Sequence, residues 1–351
     1  MTSRRDTQRA ATISDVAAAA KVSRTTVSRY LSKQFGSMSP ATKSRIDAAV
    51  AALDYRPSRI ARGLRQDKRF TIGFVVPDIT NPFAISVLRG AESVAEKHGY
   101  VLMVCNSDRD PDKERRSLDI LRSYGTDGLL LFTTGHNDDV VRDLAARLPI
   151  VLIDQGVQEV ALDLVGSDNI GAVRDAVAHL VGAGYDDIAY FTDVIGSLTS
   201  RVDRVTLFRT EFAPYPQVSA RVYEADVRDD ERLDAQLTAF LDGPRGNARC
   251  IFAGNGLMLL RLYGRLKRRG VRIPDEVSLM GFDDDEWARS AEPPLTTISQ
   301  QTRDIGAHAT ELLLAHIDGL VESSTVTRLP TTLIVRQSTR AGDLALQGEA
   351  T

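Results

Sequence analysis

TISDVAAAAKVSRTTVSRYL, residues 12–31, decides how the chain begins to fold. Ser14 can cap a first helix, with Val16, Ala17 and Ala20 at helical spacing on one apolar face. Lys21 and Val22 make a turn. Ser23 caps a second helix whose Thr26, Val27, Tyr30 and Leu31 face inward. Two short helices joined by so tight a turn form a helix-turn-helix. The start of its second helix points at base edges in the major groove, which places Arg24, Thr25, Ser28 and Arg29 outward. Arginine can pair with guanine O6 and N7, and Ser or Thr can meet bases or phosphates.

Working outward, Ser39-Pro40 starts a third helix with Ile46, Ala49, Val50 and Leu53 inward, and Tyr55-Arg56-Pro57 breaks it. SRIARGLRQDKR (58–69) follows, with Ser58 as cap and Ile60 and Leu64 on one face. An isolated helix that short is marginal, because nucleation is costly. Two readings stay open from the pattern: a flexible basic linker, or a hinge helix that orders on DNA and wedges a leucine into the minor groove. Charge agrees with a polyanion partner. Residues 1–69 carry 15 Lys and Arg against 5 Asp and Glu (net +10), whereas the whole chain of 351 residues has a net charge of −3.

From Phe70 onward, apolar runs at 71–76, 101–105, 128–132, 150–154, 188–191, 250–254 and 277–282 alternate with helical patterns. The helical patterns cover 82–98, 111–123, 138–147, 169–183, 202–213, 230–242, 256–269 and 302–319. That alternation predicts parallel sheets covered on both faces, in two lobes. Ligands of such sheets sit at the carboxyl ends of the strands. Candidates there are Asp78, Asn81, Phe83, Asn106, Ser107, Thr133, Thr134, Asp154, Gln155, Asn255 and Asp283.

The composition excludes other classes. No apolar run is long enough to span a bilayer, and the N-terminus lacks the apolar core of a secretory signal. The two cysteines, Cys105 and Cys250, are far apart, which fits a reducing cytoplasm and no disulfide scaffold. The sequence has no GxSxG, HExxH or P-loop, so no enzyme is expected, nor any cofactor. Gly182-Ala183-Gly184 follows a helix and reads as its C-terminal cap. The five histidines show no metal spacing and read as helix-surface residues.

Three motifs in order, DVAxxAxVSxxTVSRxL, YRPxxxAxxL and GxxVPDxxNPF, resemble the LacI family of bacterial repressors, with a match from about Thr12 to Thr339. The resemblance implies a fold: an N-terminal helix-turn-helix with hinge helix, then a two-lobed α/β body like a type I periplasmic sugar-binding protein. It implies a DNA-binding domain at 1–57, a hinge at 58–69, an effector and dimerisation domain at 70–340 and a tail at 341–351. Three crossovers would divide the body into an N-lobe (70–166 and 298–319) and a C-lobe (167–297 and 320–340). The DNA contacts expected are Ser14, Ser23, Arg24, Thr25, Thr26, Ser28, Arg29, Arg59, Ala61 and Leu64, with Leu64 intercalating. The effector contacts expected are Asn81, Phe83, Asp154, Arg204, Asn255, Asp283 and Trp287, the last stacking on a sugar face or packing in the core. Asp284, Asp285 and Glu286 read as a solvated acidic loop.

The chain departs from the family at four positions. Lys21 stands where the turn usually has Gly, Gln155 where Arg is frequent, Leu207 where a Gly would leave the pocket wall open, and Gly256 where an Asp usually follows Asn255. CNSDxDPxKE (105–114) is similar to the branch controlling ketodeoxygluconate and uronate use. That implies a sugar-acid effector such as ketodeoxygluconate, with neutral sugars and nucleosides as rivals. A homodimer on a pseudopalindromic operator is implied as well, and the short tail lacks the heptads of the family's tetramers.

Overall fold

The computed structural model describes residues 11–31, 35–36, 38–55, 68–157, 160–243, 246, 248–321 and 323–340. The chain divides into two compact units, Met1–Phe70 and Thr71–Thr351.

The first unit holds α1 (Ile13–Ala20), α2 (Arg24–Leu31) and α3 (Pro40–Ala52). Their core is Val16, Ala17, Ala20, Val27, Ile46 and Ala49. Thr12, not Ser14, caps α1, because Thr12 and Asp15 form a reciprocal capping box that leaves Ser14 inside the first turn. Ser23 caps α2 as expected, its hydroxyl accepting the Thr26 N–H at 3.1 Å. Lys21 is left-handed at φ 54° between them. Leu53 is exposed rather than inward, since α3 ends at Ala52.

The second unit begins with β1 (Thr71–Val76), α4 (Pro82–Lys97), β2 (Val101–Asn106), α5 (Pro111–Tyr124), β3 (Gly128–Leu131), α6 (Asp138–Ala145), β4 (Ile150–Ile153) and β5 (Asp163–Ser167). Next come α7 (Asn169–Gly182), β6 (Asp187–Thr192), α8 (Thr199–Phe212), β7 (Ser219–Glu224), α9 (Asp230–Asp242), β8 (Arg249–Ala253), α10 (Gly256–Arg268) and β9 (Ser278–Phe282). It closes with α11 (Glu286–Arg289), β10 (Thr296–Gln300), α12 (Thr302–Ile317), β11 (Val326–Leu329) and β12 (Thr331–Ile334).

Two six-stranded sheets result, ordered β11-β5-β4-β3-β1-β2 and β12-β10-β9-β8-β6-β7. All pairings are parallel except β10 with β12. The chain passes between the sheets three times, after β5, after β10 and between β11 and β12. Two crossings therefore differ from the sequence boundaries. Thr296–Gln300 pairs wholly with the C-lobe sheet, so the second falls after Gln300 rather than before 298. Val326–Leu329 extends the N-lobe sheet beside β5, so the third falls at Pro330 rather than at 320.

Apolar periodicity missed β5, β7, β10, β11 and β12. The first carries Asp163, which accepts from Thr325 N at 2.8 Å and meets His316, and Ser167, whose hydroxyl is buried without a partner; the third carries polar residues that their neighbours satisfy. Thr296 Oγ1 pairs with Thr339 Oγ1 at 2.7 Å, and Thr297 Oγ1 donates to Asp284 at 2.7 Å. The other three lie at sheet edges and are only half buried. In the N-lobe, α12 packs on α4 so closely that a Cβ on Gly90 would lie 1.9 Å from the Arg303 carbonyl oxygen, and one on Gly306 1.9 Å from that of Val87. Among the described residues, no helix is long and apolar enough to cross a membrane.

Candidate effector site and nucleic-acid interface

On the head, Arg24, Thr25 and Arg29 are exposed along α2, and Ser28 is half buried. Ser23 and Thr26 pair their hydroxyls at 2.8 Å, so both serve the helix start. Lys43 lies over the Phe35 ring, 4.5 Å from its centroid. Arg59, Ala61 and Leu64 lie outside the described residues.

In the body, the carboxyl ends of strands from both sheets enclose a cavity of about 250 Å³. Its lining includes Asn81, Phe83, Asp154, Arg204, Asn255 and Asp283. Two aspartates occupy matching places, Asp154 after β4 (φ 61°) and Asp283 after β9 (φ 73°). Left-handed backbone at non-glycine residues is strained and clusters at functional sites. Asp154 Oδ2 accepts from Ser200 Oγ at 2.9 Å and Gln155 Nε2 at 2.9 Å. Its Oδ1 and the hydroxyl of Thr134 are buried without a hydrogen-bond partner. Such orphaned groups cost stability unless a ligand or water meets them.

Asp283 accepts the Gly256 N–H at 2.8 Å and the Gln300 side-chain amide. Burial pushes its carboxyl up, and Arg204 pulls it back. The glycine at 256 follows from this contact: a Cβ there would sit 2.9 Å from both Asp283 Cβ and Oδ2. Asn255 and Asn81 face the cavity as helix caps, accepting from Met258 N at 2.8 Å and Phe83 N at 3.1 Å. Phe83 packs edge-on to Phe132, centroids 5.8 Å apart.

Arg204 is buried with 7% exposure. Its Nε donates to Asn169 Oδ1 at 2.8 Å, Nη1 to the Gly254 carbonyl at 2.8 Å and Nη2 to Gln300 Oε1 at 3.0 Å. The guanidinium carbon lies 3.7 Å from the centroid of the Phe282 ring. Every acceptor is neutral.

Further lining residues escaped the sequence reading. Arg109, in the CNSDxDPxKE stretch, crosses the cleft to buried Asp193 and also faces Asp78 at 3.4 Å. Arg201 reaches the same Asp193 at 3.0 Å; burial lowers its pKa and Asp193 raises it. Asp193 follows the apolar run at 188–191 and so fits the strand-end rule as well. Gln300 ends a strand with no apolar run. His136 also lines the cavity, its Nδ1 2.9 Å from the Thr134 carbonyl oxygen. That oxygen only accepts, so Nδ1 carries the proton. Fully buried Glu114 holds this loop, accepting from Thr134 N (2.6 Å), Thr133 Oγ1 (3.1 Å) and Asn137 Nδ2 (3.0 Å).

Other expectations fail. Trp287 does not line the cavity: α11 turns it onto the C-lobe core beside Tyr263, and its Nε1 donates to Asp285 at 3.3 Å. Leu207 packs into the C-lobe core rather than the pocket wall. Asn106 and Ser107 turn to backbone neighbours, Ile79 N and the Val76 carbonyl. Asp284 is not solvated but paired with Arg336 (2.7 Å) and Arg289 (2.8 Å). The Asp285 carboxyl is pushed up to about 6, by burial first and the Asp283 charge second. Nor are all the histidines on the surface, since His316 meets buried Asp163 and His179 is 2.9 Å from Thr339 Oγ1.

Two family models match the chain, "Bacterial regulatory proteins, lacI family" over residues 12–58 and "Periplasmic binding protein-like domain" over 177–339. The chain is 39% identical over 330 residues to the HTH-type transcriptional regulator KdgR of Bacillus subtilis, covering 93% of this chain and 97% of that protein. It is 38% identical over 328 residues to the regulator PtxS of Pseudomonas aeruginosa, covering 93% and 95%. Among solved structures, a Lac repressor dimer bound to operator superposes with TM-score 0.80 at 24% identity, covering 95% of this chain and 100% of that one, which speaks for the fold alone. A complex of the regulator CelR with cellobiose matches with TM-score 0.67 at 27% identity, covering 93% and 99%. With relatives this similar along nearly its whole length, the chain belongs to the LacI family and is a DNA-binding transcriptional regulator.

Proposed function

We propose that this regulator controls carbohydrate catabolism as a repressor whose operator affinity is set by a sugar acid bound in the cleft. The observation that carries the reading is Arg204, a buried guanidinium at the cavity whose three protein acceptors are all uncharged. A buried cation needs a counter-charge, and Arg suits a carboxylate through paired N–H donors. Asp154, Asp283 and Thr134 supply acceptors and a hydroxyl for the sugar's own hydroxyls. The cavity, about 250 Å³, is near the small end for ligand clefts and suits a monosaccharide. The similarity to regulators named KdgR and PtxS points the same way.

Two chains pair through their bodies in the cytoplasm and present two heads to a pseudopalindromic operator, whose symmetry mirrors theirs. Arg24, Thr25 and Arg29 read bases. Lys33, Lys43, Arg59, Arg62 and Arg65 meet phosphates, and Leu64 wedges into the minor groove. Effector in the cleft favours one lobe arrangement and thereby shifts the hinge segments, a coupling of about 1–3 kcal/mol.

Thermal melts against ketodeoxygluconate, uronates, neutral hexoses and nucleosides test the effector. A ligand at 100 times its Kd adds about 2.7 kcal/mol. A shift confined to sugar acids supports the reading. A shift with neutral sugars or nucleosides alone overturns it.

A further inference from the structure

We propose that Gln300 sets the preference for acid over neutral ligands: it stands between Arg204 and Asp283, hydrogen-bonded to both, and keeps the guanidinium charge uncancelled for a ligand carboxylate. The inference rests on the sugar-acid reading and extends it to a residue that the motifs did not mark.

The charges around the cavity are unequal in their pairing. Arg109 meets Asp193 and Asp78, Arg201 meets Asp193, and Arg228 meets Asp226 at 2.9 Å. Arg204 alone among these lining arginines has no carboxylate at ion-pair distance among the described residues. Asp283 is the nearby carboxylate that could cancel it, and Gln300 intervenes. The amide's orientation is chemically forced. Arginine only donates, so the side-chain oxygen of Gln300 must face Arg204, and the NH₂ then faces Asp283. Both ends of the amide are thus used by one cation and one carboxylate, with no net charge added.

Three of the five guanidinium N–H groups are spent on Asn169, Gly254 and Gln300. Two remain, enough for both oxygens of a carboxylate. The same holding contacts all come from the C-lobe, from the start of α7 and the ends of β8 and β10, so the guanidinium is positioned before ligand arrives. A glutamate has the same shape as glutamine. At position 300 it would place a built-in anion on Arg204 and a like charge against Asp283, and a ligand carboxylate would then be redundant and repelled.

Isothermal titration of the full-length protein with ketodeoxygluconate, galacturonate and galactose tests this; the last two differ by a carboxylate in place of a hydroxymethyl group. The wild type should prefer an acid. Gln300→Glu should lose about 100-fold in acid affinity, the scale of charge-assisted hydrogen bonds, with galactose affinity changed less than about threefold. Gln300→Met, similar in length and uncharged, should lose less than about tenfold in acid affinity. Circular dichroism melts establish that each variant folds. If the wild type prefers acids and Gln300→Glu binds them within about threefold of it, the spacer role is wrong while the sugar-acid reading stands. If Gln300→Glu does not fold, Gln300→Met decides: a loss of about 100-fold there means shape rather than charge governs, and overturns the proposal. If the wild type takes galactose and neither acid, the sugar-acid reading fails and the spacer with it.

Discussion

At the scale of single residues, the positions that depart from the family are the informative ones, and the structure explains three of them. Lys21 pays for a left-handed turn at φ 54°. Lys21→Gly should therefore raise stability by about 1 kcal/mol, read from denaturant midpoints of the isolated head or of the full chain. Gly256 is small because Asp283 fills its side-chain space, so Gly256→Asp, the residue usual in the family, should collide with that carboxylate. Overpacking of this kind costs about 1–3 kcal/mol, and effector affinity should fall at least tenfold while a DNA retardation assay of the head's binding stays unaltered. Gln155 spends its side chain on Ser200, accepting its backbone N–H at 3.2 Å. Asp285 gives a pH signature. Its folded pKa, about 6, exceeds its ordinary 3.8, so the native state holds the proton more tightly. Stability is then highest below the ordinary pKa and declines as pH rises from about 4 to about 6. Asp285→Asn should flatten that decline and stabilise the chain at pH 7 by on the order of 1 to 3 kcal/mol, checked by melts across pH against wild type.

At the scale of elements, α8 and the α4–α12 pair carry the most consequence. Leu198 precedes α8 and gives its first turn no side-chain cap. The N-lobe supplies one instead: Gln155 Oε1 accepts the Ser200 N–H, and the Thr199 hydroxyl accepts the Gly156 N–H at 2.9 Å. The helix that presents Ser200, Arg201 and Arg204 to the cavity is thus held from across the cleft. Removing a cap costs about 1 kcal/mol, so Gln155→Ala should cost about that in stability and loosen effector binding severalfold by titration. The α4–α12 pair depends on two glycines in direct backbone contact. Gly306→Val should destabilise by 3 kcal/mol or more at about the upper end for overpacked sites, seen as a lowered melt or loss of soluble protein. Helices and fully apolar strands were legible from periodicity. Thr296–Gln300 was not, because its buried threonines satisfy themselves through side-chain hydrogen bonds that no periodicity encodes.

At the scale of the whole molecule, the basic head and the cleft form two separate chemistries on one chain, and variants should separate them. Leu64→Ala should weaken operator binding by at least tenfold while effector affinity is unchanged; equal operator affinity would remove the wedge. Asp283→Ala should do the reverse, abolishing the effector response while DNA binding survives; a retained response would take Asp283 out of the pocket. Arg109 ties the two lobes through Asp193. Arg109→Ala should favour the open cleft and cut effector affinity about tenfold, with the radius of gyration of the ligand-free protein rising in X-ray scattering.

Local pattern alone determined the helix-turn-helix, the alternating α/β body and nine of the cavity residues, those that follow strand ends. The reason is that helix periodicity, capping chemistry and the rule that ligands sit past strand ends are all properties of short sequence windows. Only the tertiary structure decided which lobe receives residues 296–300 and 326–329, since strand partnership depends on neighbours distant in sequence. It also decided that Trp287 faces the core, that Arg109 meets Asp193 some 84 positions away, and that Gln300 separates Arg204 from Asp283. The first is packing on a core; the other two join charges or polar atoms from separate elements, Arg109 and Asp193 across a crossover and Arg204, Gln300 and Asp283 within the C-lobe. Electrostatic partnership is set by distance in space, and sequence spacing carries no record of it.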